Sequence, residues 1–199
     1  AMTTLEELLS HGNTTYTERA LTVYAPMALD LEQYDKSATA YRRLYDVSAD
    51  MDKRAMAADG YVEATLFTDD AERIKSMADD IAAMPDVSPW ARRSSSLAKA
   101  NILSDEGEKE QALKIYAHLA EDRTTIEGAE AYYYMIQDMF DRGDYATAEQ
   151  MVYDMGKCGS MYWQAKCFLV LGDVCVKLDN GFQARATDQG IVDGYAIKD

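Results

Sequence analysis

An all-α solenoid of about five antiparallel helical hairpins is predicted by three observations on this 199-residue chain. The segment Ala129 to Met155, AEAYYYMIQDMFDRGDYATAEQMVYDM, reads as helix, turn and helix, with Gly143 in the turn and the small Ala148 five residues later. That pair recurs 36 residues upstream as Gly107 and Ala112, and Ala148 recurs 36 residues downstream as Ala184. A spacing of 12 also recurs, from Ala25 to Ser37, Ala100 to Ala112, Ile136 to Ala148 and Gly172 to Ala184. It places a small side chain where the two helices of a hairpin must touch. A period of this length is the mark of supersecondary units that bury their apolar faces only by stacking.

Each element follows from its own pattern. Residues 1–16 read as half of a preceding hairpin, with Leu5, Leu8 and Leu9 as its apolar stripe. The first full unit, 17–50, sets Ala20, Leu21, Tyr24, Ala25 and Ala28 on one helical face and Tyr34, Ser37, Ala38, Tyr41 and Leu44 on a second, at spacings of three, four and seven. Each such large side chain contributes roughly 1.5 to 3 kcal/mol when removed from water. The second unit, 51–89, is the least regular, with Ala55, Ala58, Tyr61, Val62 and Leu66 in its first helix and Asp69-Asp70 in place of the turn glycine. It ends at Pro85-Asp-Val-Ser-Pro89-Trp90, where Ser88 is suited to N-cap a helix whose first residue is Pro89. The third, 90–128, carries Leu97, Ala100 and Leu103 before Gly107, then Ala112, Leu113, Tyr116 and Leu119. The fourth, 129–161, is the opening segment. The fifth, 162–199, keeps Phe168, Leu171, Gly172 and Cys175 on one face and marks its turn with Asn180-Gly181. Its second helix departs from the pattern: Asp188 stands where Tyr41, Tyr116 and Val152 stand elsewhere, and Gly190 weakens it further, by roughly 0.5 to 1 kcal/mol against alanine.

Composition bounds the function. The chain is 48% hydrophobic with only three prolines and no linker-like run, so 1–199 reads as one continuous domain. Twenty basic residues against 35 acidic ones give a net charge of −15. The acidity is spread along the chain, repels phosphate backbones and anionic lipid surfaces, and favours a basic partner. Cys158, Cys167 and Cys175 form no CxxC pair and have no accompanying histidine cluster, which argues against a zinc site. The longest apolar run, Cys167 to Leu171, is far short of the roughly 20 residues of a membrane span. Beginning at Ala1-Met2 and stopping at Asp199 on a helical pattern, the chain reads as part of a longer protein.

The fourth unit, with its small-residue contacts, aromatic positions and Gly143-Asp144-Tyr145 turn, resembles the tetratricopeptide repeat. The resemblance covers nearly the whole chain and implies a right-handed superhelix. From Ala129 onward, with Tyr162-Trp163 leading to Phe168 and then Gly181-Phe182-Gln183-Ala184, the chain is also similar to the C-terminal repeats of long tetratricopeptide proteins of Bacteroides-type bacteria. That likeness implies a parent protein in the periplasm or at a membrane.

Catalysis needs convergent groups, and the two histidines, His11 and His118, lie more than 100 residues apart in the sequence. Ser94 to Ser96 lack the setting of a nucleophile elbow, and the acidic pairs Asp69-Asp70 and Asp79-Asp80 lack calcium-loop spacing, adjacent helical side chains moreover pointing about 100° apart. The expected protein is non-enzymatic and holds no metal or cofactor. In such a superhelix the first helix of each hairpin lines the concave groove, which receives an extended peptide or a partner helix. That register offers Arg19 and Thr22, Leu97 and Asn101, Tyr133, Gln137 and Phe140, and Lys166, Asp173 and Lys177 as groove residues. The alternative for Tyr133 and Phe140 is packing between repeats. A co-chaperone carboxylate clamp is argued against, because the matching positions carry Val23, Asp59, Ala98, Tyr134 and Val170. Two rival functions remain: self-association through Phe182, Ile191 and Tyr195, and a helical-toroid enzyme or saccharide-binding domain using the tyrosine-rich groove.

Overall fold

The computed structural model describes residues 2–194, which divide into two compact units at the boundary between Glu106 and Gly107. All regular structure among the described residues is helical. The first unit holds α1 (Met2–Ser10), α2 (Thr17–Asp30), α3 (Tyr34–Val47), α4 (Met51–Leu66), α5 (Ala71–Ala83) and α6 (Pro89–Asp105). The second holds α7 (Lys109–Leu119), a 3-10 turn (Ala120–Asp122), α8 (Ile126–Asp141), α9 (Tyr145–Tyr153), α10 (Met161–Lys177) and α11 (Gly181–Gly194). The boundary falls in the turn of the expected third repeat.

Within each unit, packing runs between chain neighbours and between alternate helices. In the first, α2 packs on α3, α3 on α4 and α5 on α6, while α4 also reaches α2 and α6. In the second, α8 touches α7, α9 and α10, and α10 carries α11. This nearest-neighbour pattern is that of a helical-repeat stack.

The turns repeat one geometry. Glu32, Asp69, Gly107, Gly143 and Asp179 each take a positive φ two residues before the next helix begins. The reading of Asp69 in the glycine position is therefore correct, and in the fifth hairpin the left-handed residue is Asp179. Asn180 there is the cap, its side-chain oxygen accepting the Gln183 amide at 3.2 Å, and Gly181 is already helical. Asp70 and Asp144 cap α5 and α9 in the same way. Ser88 Oγ accepts the Ala91 amide at 3.0 Å, with Pro89 in the first turn of α6, as its sequence predicts.

Five residues past each turn the side chain is Ser37, Ile74, Ala112, Ala148 or Ala184, all buried. Ser37 Oγ donates to the Ala25 carbonyl at 2.9 Å, so the 12-residue pair is a direct helix-to-helix contact. In the second repeat that pair is Val62 and Ile74, which explains its irregular sequence: bulk has replaced close approach. Fully buried Leu21, Leu44, Val62, Met77 and Ile81 form the centre of the first unit's core. In the second, Ile136, Leu171 and Val174 are fully buried.

Two expectations need correction. The fourth repeat begins at Ile126, three residues before Ala129, because Thr125 Oγ1 accepts the Gly128 amide at 3.1 Å and starts the helix there. Leu97 is core, not groove surface, at 8% exposure. Tyr195, named for self-association, lies outside the described residues.

Candidate functional site: an aromatic cluster on α8 and α10

Three consecutive tyrosines on α8 address three neighbouring helices, because successive side chains on a helix diverge by about 100°. Tyr132 is buried against α9 and donates its hydroxyl to the Met151 carbonyl at 2.8 Å. The Arg123 guanidinium lies 4.6 Å from its ring centre. Burial pushes the Tyr132 phenol up, and Arg123 opposes the shift. Tyr134 turns to α7 and stacks on Tyr116 at 5.1 Å with an interplanar angle of 23°. Tyr133 turns to α10, where its ring lies 5.3 Å from Trp163.

The rings join into one cluster. Trp163 is 6.0 Å from Tyr134 and meets Tyr162 edge-on at 4.9 Å. Lys166, one turn further along α10, holds its ammonium 5.5 Å from the centre of Tyr133. Tyr133, Trp163 and Lys166 are each half-buried, and Tyr162 is exposed. The local sequence fixes this arrangement: Ser160 Oγ accepts the Trp163 amide at 3.3 Å, capping α10 so that Trp163 and Lys166 fall three apart on one face. The result combines flat apolar surface with one cation, suited to hold an apolar or aromatic side chain and to accept a polar group beside it.

Of the ten groove residues expected from sequence, the structure joins Tyr133 to Lys166. Phe140 packs against Tyr145 of its own hairpin at 5.5 Å, and Gln137 donates to Asp141 Oδ1 at 2.9 Å along α8. Asp173 and Lys177 are exposed on α10. In the first unit, Arg19 is exposed, Thr22 donates its hydroxyl to the Glu18 carbonyl at 2.8 Å, and Asn101 is half-buried. Trp163, Tyr116 and Tyr134 were absent from the expected groove set; the i, i+3 relation of Trp163 to Lys166 was the available signal. His11 lies in an exposed loop, and exposed His118 has Nδ1 3.6 Å from Glu121 Oε1 of the following turn.

No helix among the described residues is long and apolar enough to cross a membrane. No protein-family model matches the chain, and no curated protein sequence does. Among solved structures, the apo form of the quorum sensor NprR from B. thuringiensis aligns with a TM-score of 0.57 at 14% identity, over 94% of this chain and 57% of that one. The chain thus spans little more than half the length of that neighbour. BtubC (BKLC) from P. vanneervenii aligns with a TM-score of 0.61 at 14% identity, over 98% of this chain and 90% of its own. Likeness at this identity concerns the fold alone, and with the repeated hairpins it establishes an all-α helical-repeat architecture.

Proposed function

We propose that the protein is a non-catalytic, tetratricopeptide-type interaction scaffold that takes a peptide or partner helix against α8 and α10. The observation that carries this reading is the half-buried cluster of Tyr133 and Trp163 with Lys166 over the tyrosine ring. Clustered aromatic rings with a cation at their edge are the composition of an interface anchor. The likeness to a quorum sensor's fold is compatible with a regulatory binding role. The net charge of −15 favours a ligand with basic flanks around an apolar or aromatic anchor.

A displayed peptide library panned on the protein tests the reading. Selected peptides should carry an aromatic or large aliphatic anchor near basic residues, and their affinity should fall about ten-fold or more in Trp163→Ala, a typical hot-spot loss. Peptides that bind Trp163→Ala and Lys166→Ala as well as the parent would defeat the proposal.

A second reading, self-association through α11, is favoured by Phe182 at 78% and Val192 at 75% exposure. Sedimentation over a wide concentration range tests it. A strict monomer at high concentration removes it.

A further inference from the structure

Between α9, α10 and α11 lies a cleft of about 400 Å³ whose walls are largely apolar, with Tyr153, Met161, Phe168, Leu171 and Ile191 among its large side chains. It opens because α11 is short of bulk on the side facing α10. Eight residues past the left-handed turn residue stand Met77 in α5, Ile115 in α7 and Met151 in α9, whereas α11 has Thr187 and α3, which also borders a cleft, has Ala40. Eleven past it, α5 has Asp80 and α11 has Gly190, where an added Cβ would meet nothing within 4 Å.

The first unit shows what the same repeat position holds elsewhere. Among α3, α4 and α5 the equivalent cleft is walled by Arg42, Arg43 and Arg73. Arg42 Nε and the Tyr61 hydroxyl both donate to Asp80 Oδ2, at 3.3 and 3.1 Å. Around α11, Tyr153 of α9, Leu171 of α10 and Gly190 of α11 occupy the places of Arg42, Tyr61 and Asp80, so that network has no counterpart. Among the described residues, no acidic or basic side chain lines the α11 cleft, in a chain that is 28% charged. Gln164, Gln183, Thr187 and the hydroxyl of Tyr153, which lies 3.5 Å from Glu149 Oε1, are its uncharged hydrogen-bonding groups. Asp188, beside Thr187, is aimed at Gly172 instead, with Oδ1 only 2.7 Å from where a Cβ on that glycine would sit.

We propose that this cleft is a ligand site for a small neutral amphiphile, an aliphatic chain ending in one uncharged hydrogen-bonding head. The volume is that of a small-molecule site, and the lining combines apolar walls with a few convergent polar groups. A charged head would lose its hydration with no opposite charge among the described lining residues to offset the loss. The site is separate from the aromatic cluster and independent of the function proposed for it.

Calorimetric titration of the intact protein with decanamide and with decanoate tests the assignment. The expected result is saturable one-to-one binding of the amide, with decanoate about ten-fold weaker or more. Gly190→Leu should abolish binding while raising the melting temperature, since it fills open space and removes a helical glycine. Gly190→Ala, which adds little volume, should raise the melting temperature and keep binding. Thr187→Leu provides a second filling variant if Gly190→Leu loses its helical circular dichroism. Absence of saturable binding to the wild type, or equal binding by both filled variants, overturns the proposal. So does a wild-type dimer that either filled variant converts to a monomer, because the cleft would then receive a second copy of the chain.

Discussion

The ring of Tyr41 lies on the backbone of Gly60, so close that a Cβ at Gly60 would fall 2.5 to 2.6 Å from three ring atoms. The contact joins α3 to α4 and makes Gly60 a packing residue in the middle of a helix. Alanine would gain about 1 kcal/mol in helix propensity there. Displacing a buried ring costs about 1 to 3 kcal/mol. Gly60→Ala should therefore destabilise the protein by about 1 kcal/mol in urea unfolding, and adding Tyr41→Leu should recover much of the loss. A Gly60→Ala variant more stable than the parent would show that the ring moves aside freely.

Turn residues offer a sharper contrast. Gly143 has φ +79° with nothing within 4 Å of an added Cβ, so Gly143→Ala should cost only the left-handed backbone penalty, about 1 kcal/mol. Glu32 carries that penalty already at φ 57°. Glu32→Gly should raise stability by up to about 1 kcal/mol, less the entropy that glycine loses on folding. Thermal unfolding of the two variants checks both signs.

Alkali should weaken the fold through two tyrosines of the first unit. Burial, reinforced by the hydrogen bond to Glu6, pushes the Tyr24 phenol up to about 12. Burial, with the Asp80 charge next, does the same to Tyr61. Because the folded values lie above the ordinary 10, the protonated phenols favour the folded state. Their contribution is fully present below pH 10 and is lost as pH rises towards about 12. The urea midpoint should fall over that window, and Tyr24→Phe and Tyr61→Phe should each flatten the fall. An unchanged slope in both variants would place the alkaline transition elsewhere.

The three thiols should react unequally. Cys167 is buried, and that burial, followed by the Cys158 charge, pushes its thiol up to about 12. Cys175 is likewise buried and raised by burial. Cys158 is half-buried in the loop before α10. A thiol reagent at mildly alkaline pH should modify Cys158 first and the other two only at the rate of unfolding. Cys158→Ser should remove the fast phase and leave the slow one.

Much of the architecture was legible because its causes are local. The Ser88-Pro89 helix start, the small residues at 37, 112, 148 and 184, and the glycine turns at 107 and 143 each express a short-range backbone requirement. The candidate site was only partly legible. Tyr133 and Lys166 stand on the expected helices, yet Trp163, which joins them, is not marked by the repeat register, because its orientation depends on the cap at Ser160 and on a helix 30 residues away. Phe140 has the same residue chemistry but packs on Tyr145 within its own hairpin.

Periodicity, caps and turn residues, read along the chain alone, set the all-helical hairpin repeat, since each acts within a few residues. Three-dimensional packing decided which of Tyr132, Tyr133 and Tyr134 is core, why Gly60 must be glycine, and where α11 leaves a cleft. Those outcomes depend on the side chains that neighbouring helices bring to the same space, and sequence spacing carries no record of that meeting.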